Sequence, residues 1–434
     1  MKDYLKRMKT TKDIVCCVVD NGLFLHVARR LARDYAKVYY WSPDTASFPR
    51  IKDAIIGDGY PDITRVQSVE EVIEECDLFV FPYLGHEALQ ADLVSRGKAV
   101  WGCRGAGELE AKRGKFLDAL AKTNLSVPKC QRITGLTALR RFLEKAEDRY
   151  IKFNTFRGDF ETMHWRSMAD DESKLDAWAV LLGPLKEDFT FYVFEPIDTE
   201  IEDGIDSWCI DGQWPQTVIH GMEAKDCAYL GTFQKFADVP KEVSKVNTAF
   251  SPILKSYGYR SMFSTEVRIT KAKESYFIDP TCRFPSPPSQ VMMEMIANWG
   301  EIVWQGANGI CVEPVPVAKF GVQVVFKVCR DEWGVFDIPA KLDQWVKISF
   351  SCSVNGRIAV PPDEHGMAEI GWLCAIGDTI AAAVDQLKAY AKDLPDGCKC
   401  ELHGLPELLD KVKTAQGMGM KFTTGKVPAP ATAI

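Results

Sequence analysis

The chain is poor in several things that would have defined it. Its 434 residues include only 14 cysteines and 6 histidines, and lysine plus arginine (53) fall short of aspartate plus glutamate (60). So few cysteines exclude a disulfide scaffold. Several, such as Cys16 and Cys17 in IVCCVV, sit inside apolar runs where a thiol packs as a small hydrophobe. No apolar run approaches the ~20 residues of a membrane-spanning helix. The basic start MKDYLKRMKTTKD leads only into the short run from Ile14 to Val19, so no signal peptide is expected. A net charge of −7 argues against a general nucleic-acid binder. Together these features predict a reducing cytoplasm and no membrane. What remains is ordinary globular material, 46% apolar and 26% charged. At roughly 100–200 residues per domain, the length predicts two to four domains.

The first third alternates strand and helix. IVCCVV, KVYYW, LFVFPYLG and KAVWG read as strands; LFLHVARRLARDYA, VEEVIEEC and HEALQADLVSRG read as helices. This alternation implies a parallel sheet with right-handed crossovers, whose ligands dock beyond the strand C-termini. The loops 20–24 and 82–87 are the places to expect them. From about 106 the pattern changes. RYIKFN, FTFYVFEP, IDSWCI, MFSTEVRI and SYFIDP alternate as half-buried antiparallel strands do. The tail is mixed again, with KFGVQVVFKV, VKISFSCSV and GWLCAIG as strands and TIAAAVDQLKAYAKDL as a helix. The resulting class is multidomain α/β and α+β, divided at 1–105, 106–190, 191–314 and 315–434.

A few strand positions carry the most chemistry. Glu266 in FSTEVRI can face Asp279 in FIDPTCRF from a neighbouring strand. Asp279, Thr281 and Arg283 fall at alternate positions and so share one face. Paired carboxylates repel unless a cation separates them, and hard oxygens suit Mg²⁺ bound with substrate phosphates. The alternative is a cross-strand salt bridge on a solvated face. Lys152 lies within the apolar strand RYIKFN and needs an anionic partner, unless it snorkels to the sheet edge. The triad Cys398, Cys400 and His403 is a fragment of a zinc pattern without a fourth ligand, or simply a surface loop. GCRGAG at 102–107 follows no dinucleotide fingerprint. His86 beside Glu87 is the best placed histidine.

The order of these features resembles the ATP-grasp superfamily, and within it the phosphoribosylamine–glycine ligase (glycinamide ribonucleotide synthetase) family. The resemblance spans about residues 13–395 and rests on GHEAL, GKAVWG, GELEAKRGKF, LSVP, IDPTCRFPSPP and AEIGWLCAIGDTIAAAVDQL taken in one order. It implies an N-terminal parallel-sheet (pre-ATP-grasp) domain, a two-lobed ATP-grasp and a small mixed C-terminal domain. It further implies that Lys115 and Lys152 touch ATP phosphates, and that Glu195 lies at the hinge by adenine with Glu200 or Glu202 near the ribose. Glu266 and Asp279 would hold Mg²⁺ (or Mn²⁺), with Arg283 beside the phosphates as a catalytic group along with Lys152. The 154–160 turn, with Arg157 and Gly158, would lie over the triphosphate. Substrate would meet Asp20, Asn21, Gly22, Gly85, His86 and Glu87.

The implied chemistry is ATP-dependent amide formation through an acylphosphate, joining an amino acid or similar carboxylate to an amine. Two departures bear on the substrate. The family's glycine-rich G-S-G-G-R-E-H-A-L turn is here Asp20-Asn21-Gly22-Leu23-Phe24-Leu25-His26, which has lost its close-approach glycines and whose Asp20 would repel a sugar phosphate. The metal-strand Glu and Asn are Asp279 and Thr281. An acceptor other than phosphoribosylamine is therefore expected, with a nucleotide, nucleoside or modified base among the candidates. The other class consistent with these departures is a non-catalytic ATP-grasp-like module that binds a nucleotide or a partner.

Overall fold

In a computed structural model of the chain, residues 9–43, 55–155, 162–199, 201–329, 334–360 and 367–419 are described. The apolar runs of the first third pair in parallel. Strands β1 (Val15–Val19), β2 (Lys37–Trp41), β3 (Thr64–Arg65), β4 (Leu78–Val80) and β5 (Ala99–Trp101) form a sheet in the order β3-β2-β1-β4-β5. The unbroken apolarity of IVCCVV has a direct cause. Cys16 and Val18 join the core on one face, and Cys17 and Val19 join a separate cluster on the other. Helices α1 (Leu25–Leu31) and α2 (Glu87–Ser95) are crossovers. The expected helix VEEVIEEC is instead a single 3₁₀ turn, Val69–Val72, begun by the Ser68 side chain accepting from the Glu70 amide.

Two short helices, α3 (Gly107–Ala111) and α4 (Arg113–Leu120), follow, broken at Lys112 by an extended backbone. Next comes a four-stranded antiparallel sheet of β6 (Cys130–Thr134), β7 (Arg149–Phe153), β8 (Thr162–Trp165) and β9 (Thr190–Phe194), in the order β6-β9-β7-β8. Helices α5 (Leu136–Leu143) and α6 (Met168–Leu182) supply its core through Leu136, Leu139, Leu143, Leu175 and Trp178, with Leu136, Leu139 and Leu143 at helical spacing.

The largest sheet is built from β10 (Ile201–Ile210), β11 (Thr217–Ala224), β12 (Ala228–Lys235), β13 (Arg260–Ile269) and β14 (Ser275–Thr281), backed by α7 (Lys241–Ser256). Helices α8 (Ser289–Met295) and α9 (Trp299–Ala307) pack beneath it. The strand β15 (Phe320–Cys329) pairs with β12, so this sheet contains strands from both sides of residue 314. Strands β16 (Gly334–Phe336), β17 (Val346–Ile348), β18 (Cys352–Val354), β19 (Arg357–Val360), β20 (Met367–Gly377) and β21 (Cys398–Cys400), with helices α10 (Ile380–Lys392) and α11 (Gly404–Gly417), complete the described residues.

VKISFSCSV is not one strand. It breaks at Phe350, whose φ of 49° ends β17 before β18 begins. The interruption docks on the N-terminal sheet: the Phe350 amide donates to the Gly22 carbonyl at 2.9 Å, and the Ser349 hydroxyl donates to the Leu23 carbonyl at 2.9 Å. The Cys398 and Cys400 segment is an edge strand on β15 rather than a loop, and no group of three His, Cys, Asp or Glu suited to a metal forms among the described residues. Among those residues no helix is long and apolar enough to cross a membrane.

Candidate active site

The site forms where the four-stranded lobe meets the large sheet. Glu266 on β13 and Asp279 on β14 are register partners, as the sequence suggested. A bulge follows directly: Val267 pairs with Phe277, so Ile278 is the extra residue. Its carbonyl accepts from Arg113 Nη1 at 2.9 Å. Arg113 also ion-pairs with Asp279 Oδ1 through Nη2, while Lys152 Nζ donates to Asp279 Oδ2. Lys152 on β7 has therefore found an anionic partner 127 residues away. Its side chain is only 13% exposed and that of Arg113 only 4%.

Local structure explains why both cations arrive together. Asn154, just past β7, accepts from the Arg113 amide through its carbonyl at 2.7 Å and from the Gly114 amide through Oδ1 at 3.0 Å. Two of the free amides at the start of α4 are thereby satisfied by the strand that carries Lys152. Burial pushes the Asp279 carboxyl up, but Arg113 and Lys152 outweigh it and hold its pKa below the usual carboxylate value. At Glu266 the balance goes the other way, because Lys152 and Lys225 are outweighed. Burial first, then Glu202 and Asp279, raise its pKa to about 8.

Arg283 lies beyond the end of β14 rather than on the row with Asp279. Its Nε donates to Glu110 Oε1 at 2.9 Å, and Glu110 Oε2 accepts from the Cys282 amide at 2.6 Å. The guanidinium stands 5.4 Å from the ring centre of Tyr83. The single segment 107–120 thus holds the bulged strand at two points, through Arg113 at the bulge and through Glu110 just beyond its C-terminal end. A cleft of about 430 Å³ opens beside this junction, lined by Glu202, Asp206, Glu223, Glu266, Thr281 and Arg283 among others. Burial, then Glu202, raises Glu223 to about 7. Burial also raises Asp206 to about 6, against hydrogen bonds from Ser264 and Tyr229. On the floor of this sheet His220 is fully buried: Nε2 faces the Asp203 carboxylate at 2.7 and 2.8 Å, and Nδ1 faces Gln234 Oε1 at 3.0 Å.

The remaining sequence candidates fall elsewhere. Lys115 does not meet Asp279; its side chain is 53% exposed, with Nζ 3.9 Å from Glu108. Glu195 follows β9, and its Oε2 is 3.7 Å from Lys129 Nζ. Glu202 faces Arg268 at 3.2 Å. Arg157, Gly158 and Glu200 lie outside the described residues. Asp20 is buried, and its Oδ2 accepts from the Gly22 and Phe24 amides at 3.0 Å and from the Tyr40 hydroxyl at 2.8 Å. Burial lifts its pKa to about 6 despite those bonds. Gly85 and His86 have positive φ, and the His86 ring meets Trp41 edge-on at 5.6 Å, with Glu87 opening α2.

Arg113, Glu110, Tyr83 and Glu223 went unnoticed in the sequence. Arg113 stands two residues before the lysine that the motif drew attention to. Glu110 carries no local signal at all, because its partners are more than 170 residues distant.

These lobes, with the antiparallel lobe closing over an acidic strand pair, have the ATP-grasp fold. No protein-family model matches the chain, and no curated protein matches it in sequence. Among solved structures it is similar to phosphoribosylamine–glycine ligase from Thermotoga maritima, with a TM-score of 0.65 at 15% identity over 89% of this chain and 98% of that one. The biotin carboxylase domain of the 2-oxoglutarate carboxylase from Hydrogenobacter thermophilus is similar with a TM-score of 0.61, at 13% identity over 96% and 97%. L-amino acid ligase from Bacillus licheniformis has a TM-score of 0.56, at 15% identity over 90% and 99%. At these identities the likeness is one of fold.

Proposed function

We propose that the protein is an ATP-dependent carboxylate–amine ligase acting on small molecules. The observation that carries this reading is the convergence of Lys152, from the four-stranded lobe, and Arg113, from the helix whose Phe116 and Leu120 pack in the core of the large sheet, on Asp279 opposite Glu266. Positive groups gathered at a carboxylate pair suit a nucleotide triphosphate and its metal. The similar carboxylase domain was solved with MgADP and bicarbonate, and the similar ligases are named for phosphoribosylamine with glycine and for L-amino acids.

The residues present fit Mg²⁺ (or Mn²⁺). Glu266 is driven towards protonation by burial, Glu202 and Asp279, and a divalent cation between the carboxylates relieves that repulsion. Only two protein ligands are needed, because Mg²⁺ keeps waters and phosphate oxygens as the others. The ion would supply neutralisation of phosphate charge. In this reading Lys152 and Arg113 bind phosphate oxygens and Arg283, held by Glu110, spreads charge on the transferred group. The two lobes exclude water from an acylphosphate that would otherwise hydrolyse. The carboxylate substrate takes the γ-phosphoryl group, and the amine then displaces phosphate to leave the amide.

The test is ADP release in a screen that crosses amino acids with candidate amines. Release should require both partners and should be lost in Lys152→Ala and Asp279→Ala. Equal release by these variants and the parent would overturn the site. ATP binding with no turnover across a broad screen would instead point to a binding module.

A further inference from the structure

We propose that Asp20 fills, from within the chain, the anion-binding turn of the parallel sheet, so that the amine acceptor carries no phosphate. The substrate class named here rests on the ligase reading; the filling of the turn does not. In parallel sheets the amides that follow a strand are free to hold phosphate. Here they are already in use. Asp20 Oδ2 accepts from the amides of Gly22 and Phe24, each at 3.0 Å, and Asn21 Oδ1 accepts from the Leu23 amide at 3.1 Å. Tyr40 donates to the same Asp20 oxygen at 2.8 Å, which fixes the carboxylate in the turn.

The turn is also covered. Phe350 and Ser349 donate to the Gly22 and Leu23 carbonyls at 2.9 Å, and a Cβ on Gly22 would stand 2.6 Å from Phe350 Cδ1. Gly22 therefore has to be glycine, for its φ of 106° and for this close approach. A phosphate placed there would meet a buried carboxylate and an aromatic lid.

The experiment has two arms. In the first, inorganic phosphate is titrated into the full chain while the amide resonances of Gly22 and Phe24 are followed by NMR. In the parent they should stay in place, and in Phe350→Gly as well, since glycine suits the local φ and Asp20 remains. In Asp20→Gly they should move with added phosphate. Movement in the parent or in Phe350→Gly, or a folded Asp20→Gly without movement, overturns the proposal. In the second arm, ADP release is compared between matched amines such as glucosamine and glucosamine 6-phosphate. The unphosphorylated member should be faster by about tenfold or more, as like-charge exclusion requires. A faster phosphorylated member overturns the proposal. Absence of release with every amine overturns the ligase reading, while the NMR arm still decides whether Asp20 fills the turn.

Discussion

Asp279→Asn removes the negative charge on which Arg113 and Lys152 converge and leaves the shape of the side chain almost unchanged. Those cations are 4% and 13% exposed, and Asp279 itself is 23% exposed. Breaking a buried ion pair costs about 3–5 kcal/mol. The partial exposure of the carboxylate puts this one at the lower end, about 3 kcal/mol. At roughly 2–4 °C per kcal/mol for a domain of this order, Tm should fall by about 6–12 °C. Calorimetry on parent and variant measures it. The sign with pH follows from the lowered pKa of Asp279. Its contribution is present above the unfolded carboxylate value of about 3.9 and is lost as pH falls through the folded one. The gap between parent and variant should therefore hold steady from neutral pH down to about 5 and narrow only near 4 and below. A Tm within a degree of the parent at neutral pH would refute the reasoning, as would a gap that widens in acid.

Two neighbouring groups give predictions of differing sign. Glu266, raised to about 8, is disfavoured as an anion in the fold, so the parent loses stability as pH rises from the unfolded value of about 4.3 towards 8. Glu266→Gln should consequently raise the urea midpoint, and by more at pH 8 than at pH 5; a variant less stable than the parent at pH 8 would contradict this. His220 is held above its ordinary pKa: burial alone would lower it, but Asp203 and Gln234 outweigh that. Its charge therefore stabilises the fold fully below about 6.5, and this is lost as pH rises through the raised value. His220→Gln should cost about 3–5 kcal/mol at pH 6. The penalty should shrink in alkali, and urea midpoints that differ equally at pH 6 and pH 9 would refute the buried imidazolium.

Much of the architecture was legible because it depends on short-range pattern. IVCCVV, KVYYW and KAVWG announced strands by their unbroken apolar runs, and their alternation with helical stretches announced the parallel sheet. The acidic strand pair was legible for the same reason: a period of two placed Asp279 where Glu266 could oppose it. The bulge at Ile278 was not, since a one-residue irregularity leaves no trace in alternation. Nor was the choice of Arg113 over Lys115, which is decided by how Asn154 sets the start of α4. Phe350 was read as strand because its neighbours are β-formers, and only the docking of this turn on Gly22 interrupts them. Contacts across hundreds of residues, such as Glu110 with Arg283, belong to tertiary structure alone.

Calorimetric titration of ATP into the full chain, with and without Mg²⁺, tests the central claim most directly. The parent should bind ATP in an Mg²⁺-dependent manner. Loss of one charged contact in Lys152→Ala should weaken binding about tenfold or more. Asp279→Asn should remove most of the Mg²⁺ dependence. Affinity that is the same in parent and variants, or indifferent to Mg²⁺, would show that the junction of Lys152, Arg113, Asp279 and Glu266 is an internal ion cluster and not a nucleotide site.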